Sequence, residues 1–242
     1  YDQTYFKVKV AEDGIYRISF NELNESGVFN SDIQPSGKDF QLFYMGREIP
    51  IYTSTENAFS SDDYLEFYGQ KNRGWLDQFL YIEPEYQVNP EYSLFSDTSA
   101  YFLTWKTDVG HNRIENTIND LTNNTTEKEA YCLVETVNDF HNIYSNGRDF
   151  QGGSGYISRY DIGEGYINRN DANNQSFNVS TPNYVNSGPK PIVNTRLFAL
   201  RGTHKIAISI NGNAQPVDSF FNWTSKLYTF EAESWRNQNN IN

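Results

Sequence analysis

The sequences DDYLEFYGQ at residues 62–70 and YSLFSDTSAYFLTW at residues 92–105 decide the fold. At residues 64–68 Tyr and Glu alternate with Leu and Phe, and at residues 101–105 Tyr, Leu and Trp alternate with Phe and Thr. Successive strand side chains point to opposite faces, and aromatic residues suit a half-buried pleated surface, so both runs are predicted strands. The connection between them is long and rich in Asn, Pro and Tyr, and connections of this length usually have a role of their own.

Two further pairs of alternating runs are predicted to form β-hairpins. The connections contain Asp13-Gly14 and Met45-Gly46, so each has a glycine that can supply the positive φ of a tight turn. Pro50 has no N–H to donate, and its strand is therefore predicted to lie at a sheet edge or to carry a bulge. The paired runs are residues 5–10 with 15–20 and residues 40–44 with 48–52.

The composition changes after Trp105, and residues 109–129 are predicted to be a polar linker or an exposed crossover. Short strands resume at residues 130–137 and continue at the spacing of a β-sandwich or jelly roll. The sequence therefore predicts an all-β fold with little helix. An amino-terminal β-rich domain spans residues 1–108, and a jelly-roll-like β-sandwich spans residues 130–242 and could be incomplete at its carboxyl end.

The fold-determining stretches also resemble a known family. DDYLEFYGQKN at residues 62–72, followed by LDQFLYIEPEYQVNPEYSLFSDTSAYFLTW at residues 76–105, is similar to the amino-terminal region of gingipain-type cysteine peptidases. That group includes the PorU-like sortases of the type IX secretion system of Bacteroidetes. In the family an acidic DY opens a strand ending in FYG, and an NPYYSLF segment leads to a strand reading YFLTW. The resemblance extends back over residues 5–52, is weaker after Lys106, and does not reach a catalytic domain.

The resemblance implies a non-catalytic amino-terminal region of a secreted peptidase or sortase that acts at the bacterial cell surface, associated with the outer membrane. Such a region would support the catalytic domain of the parent protein, or dock that domain or other secretion-system proteins. Tyr1 stands where an initiator Met is expected, so the chain is predicted to be a processed product or a piece of a longer protein. The parent could be a cysteine peptidase, while this chain is predicted to have no catalytic site.

The glycine-rich loop at residues 146–155 resembles a Gly-Arg-acidic-aromatic segment of the same family. Glycine lets the backbone approach a partner closely or adopt positive φ. Arg148, Asp149 and Phe150 are therefore predicted to form a docking loop. The alternative is a strand crossover in which Arg148 and Asp149 make a surface ion pair.

The charge and composition exclude several classes of partner. A net charge of −12 argues against nucleic acid and against adsorption to anionic lipid, since both need clusters of Lys and Arg. No apolar run approaches the ~18 residues of a membrane span, so no transmembrane segment is predicted. With 37% hydrophobic and 16% aromatic residues, the core is predicted to consist largely of Tyr and Phe.

A cysteine peptidase needs a thiolate and a histidine close to it. The chain contains Cys132 together with His111, His141 and His204. The residues around His111 do not match the catalytic histidine of the resembled family, and no family-like cysteine segment follows. Cys132 lies in a predicted strand, where a free cysteine is usually a small buried hydrophobic residue. We therefore predict neither a peptidase centre nor a cofactor within this chain.

Two acidic clusters have the composition of a Ca²⁺ site, which needs several carboxylate and carbonyl oxygens. They are Asp62 with Asp63, and Asp161 with Glu164. Neither pair has EF-hand spacing, and the alternative for each is a solvated turn.

The many aromatic residues allow a second function, that of a cell-surface adhesin or carbohydrate-binding β-sandwich. Exposed Trp and Tyr rings stack on sugar rings, and this function predicts a row of them on one sheet face or in a groove. The alternative is that these rings build the core. The candidates are Trp75, Trp223, Trp235, Tyr86 and Tyr92.

Overall fold

The computed structural model describes residues 3–30, 32–107, 110–152, 159–168 and 175–242, without the side chains of residues 150–152. Within these residues the protein consists of antiparallel sheets with little helix, which confirms the predicted all-β class. The chain forms two compact units, Tyr1–Asn72 with Phe95–Asn123, and Arg73–Leu94 with Asn124–Asn242. The domain bounds given above, at residues 1–108 and 130–242, stay a prediction.

Unit 1 contains two antiparallel sheets around one core. Its strands are β1 (Phe6–Val10), β2 (Gly14–Ser19), β3 (Phe40–Tyr44), β4 (Arg47–Ile49), β5 (Tyr52–Thr53), β6 (Tyr64–Gly69) and β7 (Ser99–Trp105). The first sheet has the order β1-β7-β3-β4, and the second has the order β2-β6-β5. The two fold-determining stretches thus supply an interior strand to each sheet, β6 to the second and β7 to the first.

The predicted hairpin between residues 5–10 and 15–20 is wrong, although both of its strands form. β1 pairs with β7 in the first sheet, whereas β2 pairs with β6 in the second. Gly14 is the first residue of β2 and lacks the positive φ that a two-residue hairpin turn requires. The connection therefore carries the chain from one sheet to the other, which lets both strands cover the same core.

The predicted hairpin at Met45-Gly46 is confirmed. β3 and β4 pair across this two-residue turn, in which Met45 and Gly46 have φ of 49° and 75°. Pro50 follows β4, which lies at the edge of the first sheet as predicted. Because proline cannot donate to a ladder, the run of residues 48–52 divides there, and the chain continues into the second sheet as β5.

The core of unit 1 is rich in aromatic rings, as the composition predicts. Tyr101 of β7 stacks on Tyr44 at 4.3 Å between ring centroids and lies 5.3 Å from the ring of Phe67 on β6. The rings therefore join the first sheet to the second. The buried residues are Val10, Leu23, Val28, Phe29, Phe40, Leu42, Ile51, Phe59, Leu65, Phe67, Tyr101 and Leu103.

One short helix, α1 (Phe20–Glu25), closes part of this core through Leu23. It begins at a capping box in which the Ser19 hydroxyl accepts from the Glu22 N–H and the Glu22 carboxylate accepts from the Ser19 N–H. Gly27, with φ of 80°, ends it.

The beginning of the predicted linker is fixed to unit 1. Arg113 donates from Nη2 to the carbonyl oxygens of Gly37 and Lys38, at 3.0 and 2.7 Å. The Ile114 N–H donates to the carbonyl of Ile51 at 2.9 Å. Residues 115–129 are exposed and form no strand, and their role as a linker or exposed crossover stays a prediction.

Unit 2 is a set of small antiparallel sheets. Its elements are β8 (Ile143–Asn146), α2 (Gly147–Gly152), β9 (Glu164–Ile167), β10 (Phe177–Ser180), β11 (Ile192–Ala199), β12 (Thr203–Ile206), β13 (Ser209–Ile210), β14 (Asn213–Ala214), β15 (Asp218–Phe221), β16 (Thr224–Glu231) and β17 (Gln238–Ile241). β8 pairs with β9, β11 with β16 and β12 with β15, and the remaining sheet has the order β10-β17-β13-β14. Residues 73–94 contribute 3₁₀ turns at Gly74–Leu80 and Pro84–Tyr86.

The strand predicted at residues 130–137 is absent. These residues are exposed and pair with no other strand of the described chain, with Leu133 and Val134 more than four-fifths exposed. An isolated strand has no ladder to join, so its alternating pattern alone does not form β-structure. None of the described helices is long and apolar enough to cross a lipid bilayer.

Candidate functional site

The residues considered for a peptidase centre lie in separate parts of the chain, and only His204 belongs to a strand, β12. Cys132 is exposed, so its predicted burial in a strand is wrong. One ring nitrogen of each histidine lies within hydrogen-bond distance of a residue two to five positions away in sequence. His111 Nε2 lies 2.7 Å from the Lys106 carbonyl, and His204 Nε2 lies 2.8 Å from the Arg201 carbonyl. His141 Nδ1 lies 2.9 Å from an Asp139 carboxylate oxygen. Among the described residues, no hydrogen bond joins Cys132 to a histidine.

The predicted docking loop forms α2, at the end of the β8–β9 hairpin. Arg148 lies 3.2 Å from Asp149 and 3.4 Å from Asp161, and the Asp149 N–H donates to Asp161 at 2.8 Å. Burial lowers the pKa of Arg148, but the hydrogen bond to Asp149 and the charge of Asp161 raise it above its ordinary value overall. Arg148 and Asp149 thus make the ion pair that the alternative, a strand crossover, predicts. Both residues also contact the buried carboxylate of Asp161. Their docking role stays a prediction, and the Phe150 side chain lies outside the described residues.

Asp161 and Glu164, one of the two Ca²⁺ candidates, are adjacent in space and already accept several hydrogen bonds. The Glu164 carboxylate accepts from the Tyr144 hydroxyl at 2.9 Å and from the Asp161 N–H at 3.0 Å, and its carbonyl accepts from Tyr81 at 2.8 Å. Burial first, and then Glu164, raise the pKa values of Tyr81 and Tyr144 far above the ordinary 10.0. These hydroxyls therefore remain protonated donors.

Asp63, in the other Ca²⁺ candidate, organises a turn. Its carboxylate accepts from the N–H and hydroxyl of Ser60 and from the hydroxyl of Ser54, each at 2.8 Å. Bonds to Ser60 and then Ser54 lower the pKa of Asp63 below its ordinary value. Asp62 beside it is exposed. Among the described residues no three His, Cys, Asp or Glu side chains converge as metal ligands, and Ca²⁺ binding at either pair stays a prediction.

The aromatic candidates for sugar stacking lie on separate elements and do not form one row. Trp235 donates from Nε1 to Thr181 at 2.9 Å, and Trp223 lies 6.1 Å from the ring of Phe198. Tyr92 stacks on His141 with 3.9 Å between ring centroids. Trp75 and Tyr86 belong to the two 3₁₀ turns.

The structure shows an aromatic surface that the sequence reading missed. On the outer side of the second sheet, Ile15 and Tyr68 are paired across β2 and β6 and are 67% and 52% exposed. Arg17 lies over the Tyr64 ring at 3.9 Å and forms an ion pair with Glu66 at 2.8 Å. We call these five residues the outer tyrosine face. The alternation at residues 64–68 contained the signal, since burial of Leu65 and Phe67 directs both tyrosines outward.

Comparison with known proteins finds one distant structural relationship. The chain is similar to the crystal structure of dimeric latent PorU from Porphyromonas gingivalis, with a TM-score of 0.46 and 14% sequence identity. The similarity covers 98% of this chain, which spans 22% of the length of that one. No family model matches the sequence. No curated protein matches it either.

Proposed function

We propose that this chain is a non-catalytic protein-binding module of a gingipain-type or PorU-like cysteine peptidase, secreted and held at the bacterial cell surface. The ordered sequence motifs at residues 62–105 support this assignment. A catalytic thiolate needs a histidine to activate it, and each histidine ring hydrogen-bonds to a group other than Cys132 within the described residues, which also supports the assignment. The chemistry of the parent protein would then reside outside this chain, and the module would act through surface complementarity.

The outer tyrosine face is the observation that carries the proposal. Tyr and Arg are enriched among the residues that contribute most to protein interfaces, and a sheet presents them with little loss of conformational entropy. Ile15 and Tyr68 expose adjacent apolar surface, while the ion pair of Arg17 with Glu66 adds no net charge. This composition suits a partner surface that is mainly apolar and lacks strong charge.

The partner assigned to this face is the catalytic domain of a gingipain-type peptidase. The resemblance to the amino-terminal region of that family supports this choice, because such a region belongs to the same polypeptide as the catalytic domain. A partner domain in the same polypeptide needs only modest intrinsic affinity for the face, since covalent linkage raises its effective concentration.

The proposal is tested by measuring binding of the whole chain to a separately produced gingipain-type catalytic domain from the same source. Replacing Tyr68 and Ile15 together with Ala is expected to weaken binding about 30-fold, the effect of losing ~2 kcal/mol of interface energy. The matched control is Phe102→Ala, which removes a 41% exposed aromatic ring from β7 of the first sheet. Absence of binding by the unaltered chain, or an equal loss in the Phe102 variant, would contradict the proposal.

The second candidate function is carbohydrate binding. It is favoured by a polar cleft in unit 2, described below, and not by the outer tyrosine face. A glycan array probed with the whole chain separates the two functions, because saturable sugar binding that survives the Tyr68 and Ile15 substitutions does not depend on the outer tyrosine face.

A further inference from the structure

A cleft of about 260 Å³ lies at the open end of the β8–β9 hairpin. Ile143 and Ile167 form the last pair of that hairpin, so the residues just before β8 and just after β9 are brought side by side. The described residues that line the cleft are Asp139, Phe140, His141, Asn142 and Asn168. No sequence motif pointed to this cleft, because its walls come from separate parts of the chain.

An aspartate fixes the orientation and the tautomer of the histidine in this cleft. Asp139 Oδ2 lies 2.9 Å from His141 Nδ1, and Asp139 Oδ1 accepts from the Asn89 amide at 2.6 Å. A carboxylate only accepts, so Nδ1 carries the proton and Nε2 of the neutral ring is an acceptor. The ring also stacks on Tyr92 at an angle of 8°. His141 Nε2 has no hydrogen-bond partner among the described residues.

Amide groups line the other side of the cleft. The Asn142 amide donates to the Asn168 side-chain oxygen at 2.7 Å, and the Asn168 amide donates to Gln175 at 3.0 Å. This chain of amides holds the two asparagine side chains in position. The Phe140 ring, 40% exposed, adds an apolar surface to the same cleft.

The chemistry of the lining selects among classes of ligand. The described residues of the lining include no Lys or Arg, and Asp139 repels anions, which disfavours phosphates and carboxylates. A purely apolar ligand would displace the water that hydrogen-bonds to the carboxylate, the imidazole and the amides. It could not replace those hydrogen bonds. Hydroxyl groups both donate and accept, so they match a fixed acceptor beside amide groups. The exposed ring suits the C–H face of a sugar.

We infer that this cleft of unit 2 binds a neutral carbohydrate, with hydroxyl groups on His141, Asp139 and the asparagine amides and with a sugar face against Phe140. The occupant is a terminal sugar of one or two rings, because the cleft is smaller than the ~300 Å³ at which pockets for drug-sized ligands begin. The inference is independent of the docking function proposed for unit 1. Failure of either leaves the other standing.

The test is an NMR titration of the whole isotope-labelled chain with methyl glycosides of glucose, galactose, mannose and N-acetylglucosamine. At least one sugar is expected to cause saturable shifts of the backbone amides of Phe140, His141, Asn142 and Asn168, with an affinity in the millimolar range. His141→Gln and Asn168→Ala are each expected to weaken that affinity about three- to tenfold, the effect of one lost hydrogen bond.

His204→Gln is the matched control, because this histidine lies on β12 and is not part of the cleft. It is expected to leave the sugar affinity unchanged. Thermal unfolding of each variant shows whether a lost response reflects lost structure, and Asn168→Ala avoids the stacked pair of His141 and Tyr92. The inference is overturned if none of the four sugars gives saturable shifts, or if the His204 variant loses as much affinity as the two cleft variants.

Discussion

At Tyr101, in the core of unit 1, the contributions of ring packing and of hydrogen bonding to the unfolding free energy can be measured separately. Tyr101 is 1% exposed, stacks on Tyr44, lies 5.3 Å from the ring of Phe67, and accepts a hydrogen bond from the Gln70 N–H at 2.8 Å. Tyr101→Phe keeps the ring but removes the acceptor of a partly buried N–H, which costs about 1–2 kcal/mol. Tyr101→Ala also removes the ring and is expected to cost about 3–5 kcal/mol of unfolding free energy.

The measurement is urea unfolding of the whole chain, with hydrogen exchange of the β7 amides used to assign the transition to unit 1. The Phe variant is expected to lower the unfolding free energy of that transition by about 1–2 kcal/mol, seen as a lower urea midpoint with an unchanged m-value. Tyr68→Phe, in which the altered ring is exposed, is the control and is expected to change stability by less than about 0.5 kcal/mol. If Tyr101→Phe matches wild type, or is as unstable as Tyr101→Ala, the assignment of separate packing and hydrogen-bond contributions is wrong.

Three further predictions concern caps and titrating groups. Ser19→Ala removes the hydroxyl that accepts from the Glu22 N–H, while the backbone N–H of residue 19 can still donate to the Glu22 carboxylate. This loss should cost about 1 kcal/mol in urea unfolding, whereas Ser19→Asp should restore most of it. The folded-state pKa of Asp63 is lowered, so the stabilisation by its carboxylate is present at pH values above the ordinary pKa of 3.8 and is lost as the pH falls below 3.8. Asp63→Asn should therefore make the unfolding free energy less dependent on pH in the acid range. Because the folded-state pKa values of Tyr81 and Tyr144 are raised, stability should fall as pH rises above 10.0, and a Tyr144→Phe variant should show a smaller fall; equal curves would contradict the contribution of this burial.

The sequence was sufficient for the strands of unit 1 but not for their pairing. Alternation at residues 64–68 and 101–105 identified β6 and β7, and the Met45-Gly46 turn identified the β3–β4 hairpin. The Asp13-Gly14 signal is identical in kind, yet it connects two sheets, because the choice of neighbour is made by burial across the core. Local turn chemistry contains no information about that choice.

The same limit explains the missing strand at residues 130–137. Its pattern is that of a strand, but none of the described strands lies alongside to complete its hydrogen bonds.

In the candidate sites, the fold brings together residues that the sequence kept apart. Asp161 and Arg148 were identified separately as an acidic cluster and a docking loop, and only the β8–β9 register brings them into one network. Residues 139–142 had no motif at all, because their cleft depends on Asn168 across the hairpin.

The position of residues 73–94 sets the order in which the protein can fold during translation. These residues belong to unit 2 but are synthesised between β6 and β7 of unit 1. On the ribosome, β1 emerges early and has no partner until β7 follows, because β7 is the strand that joins it to β3. Until Trp105 has left the exit tunnel, the nascent protein therefore presents an incomplete sheet and an open aromatic core. Slow codons just after β6 would prolong that exposure and increase dependence on chaperones.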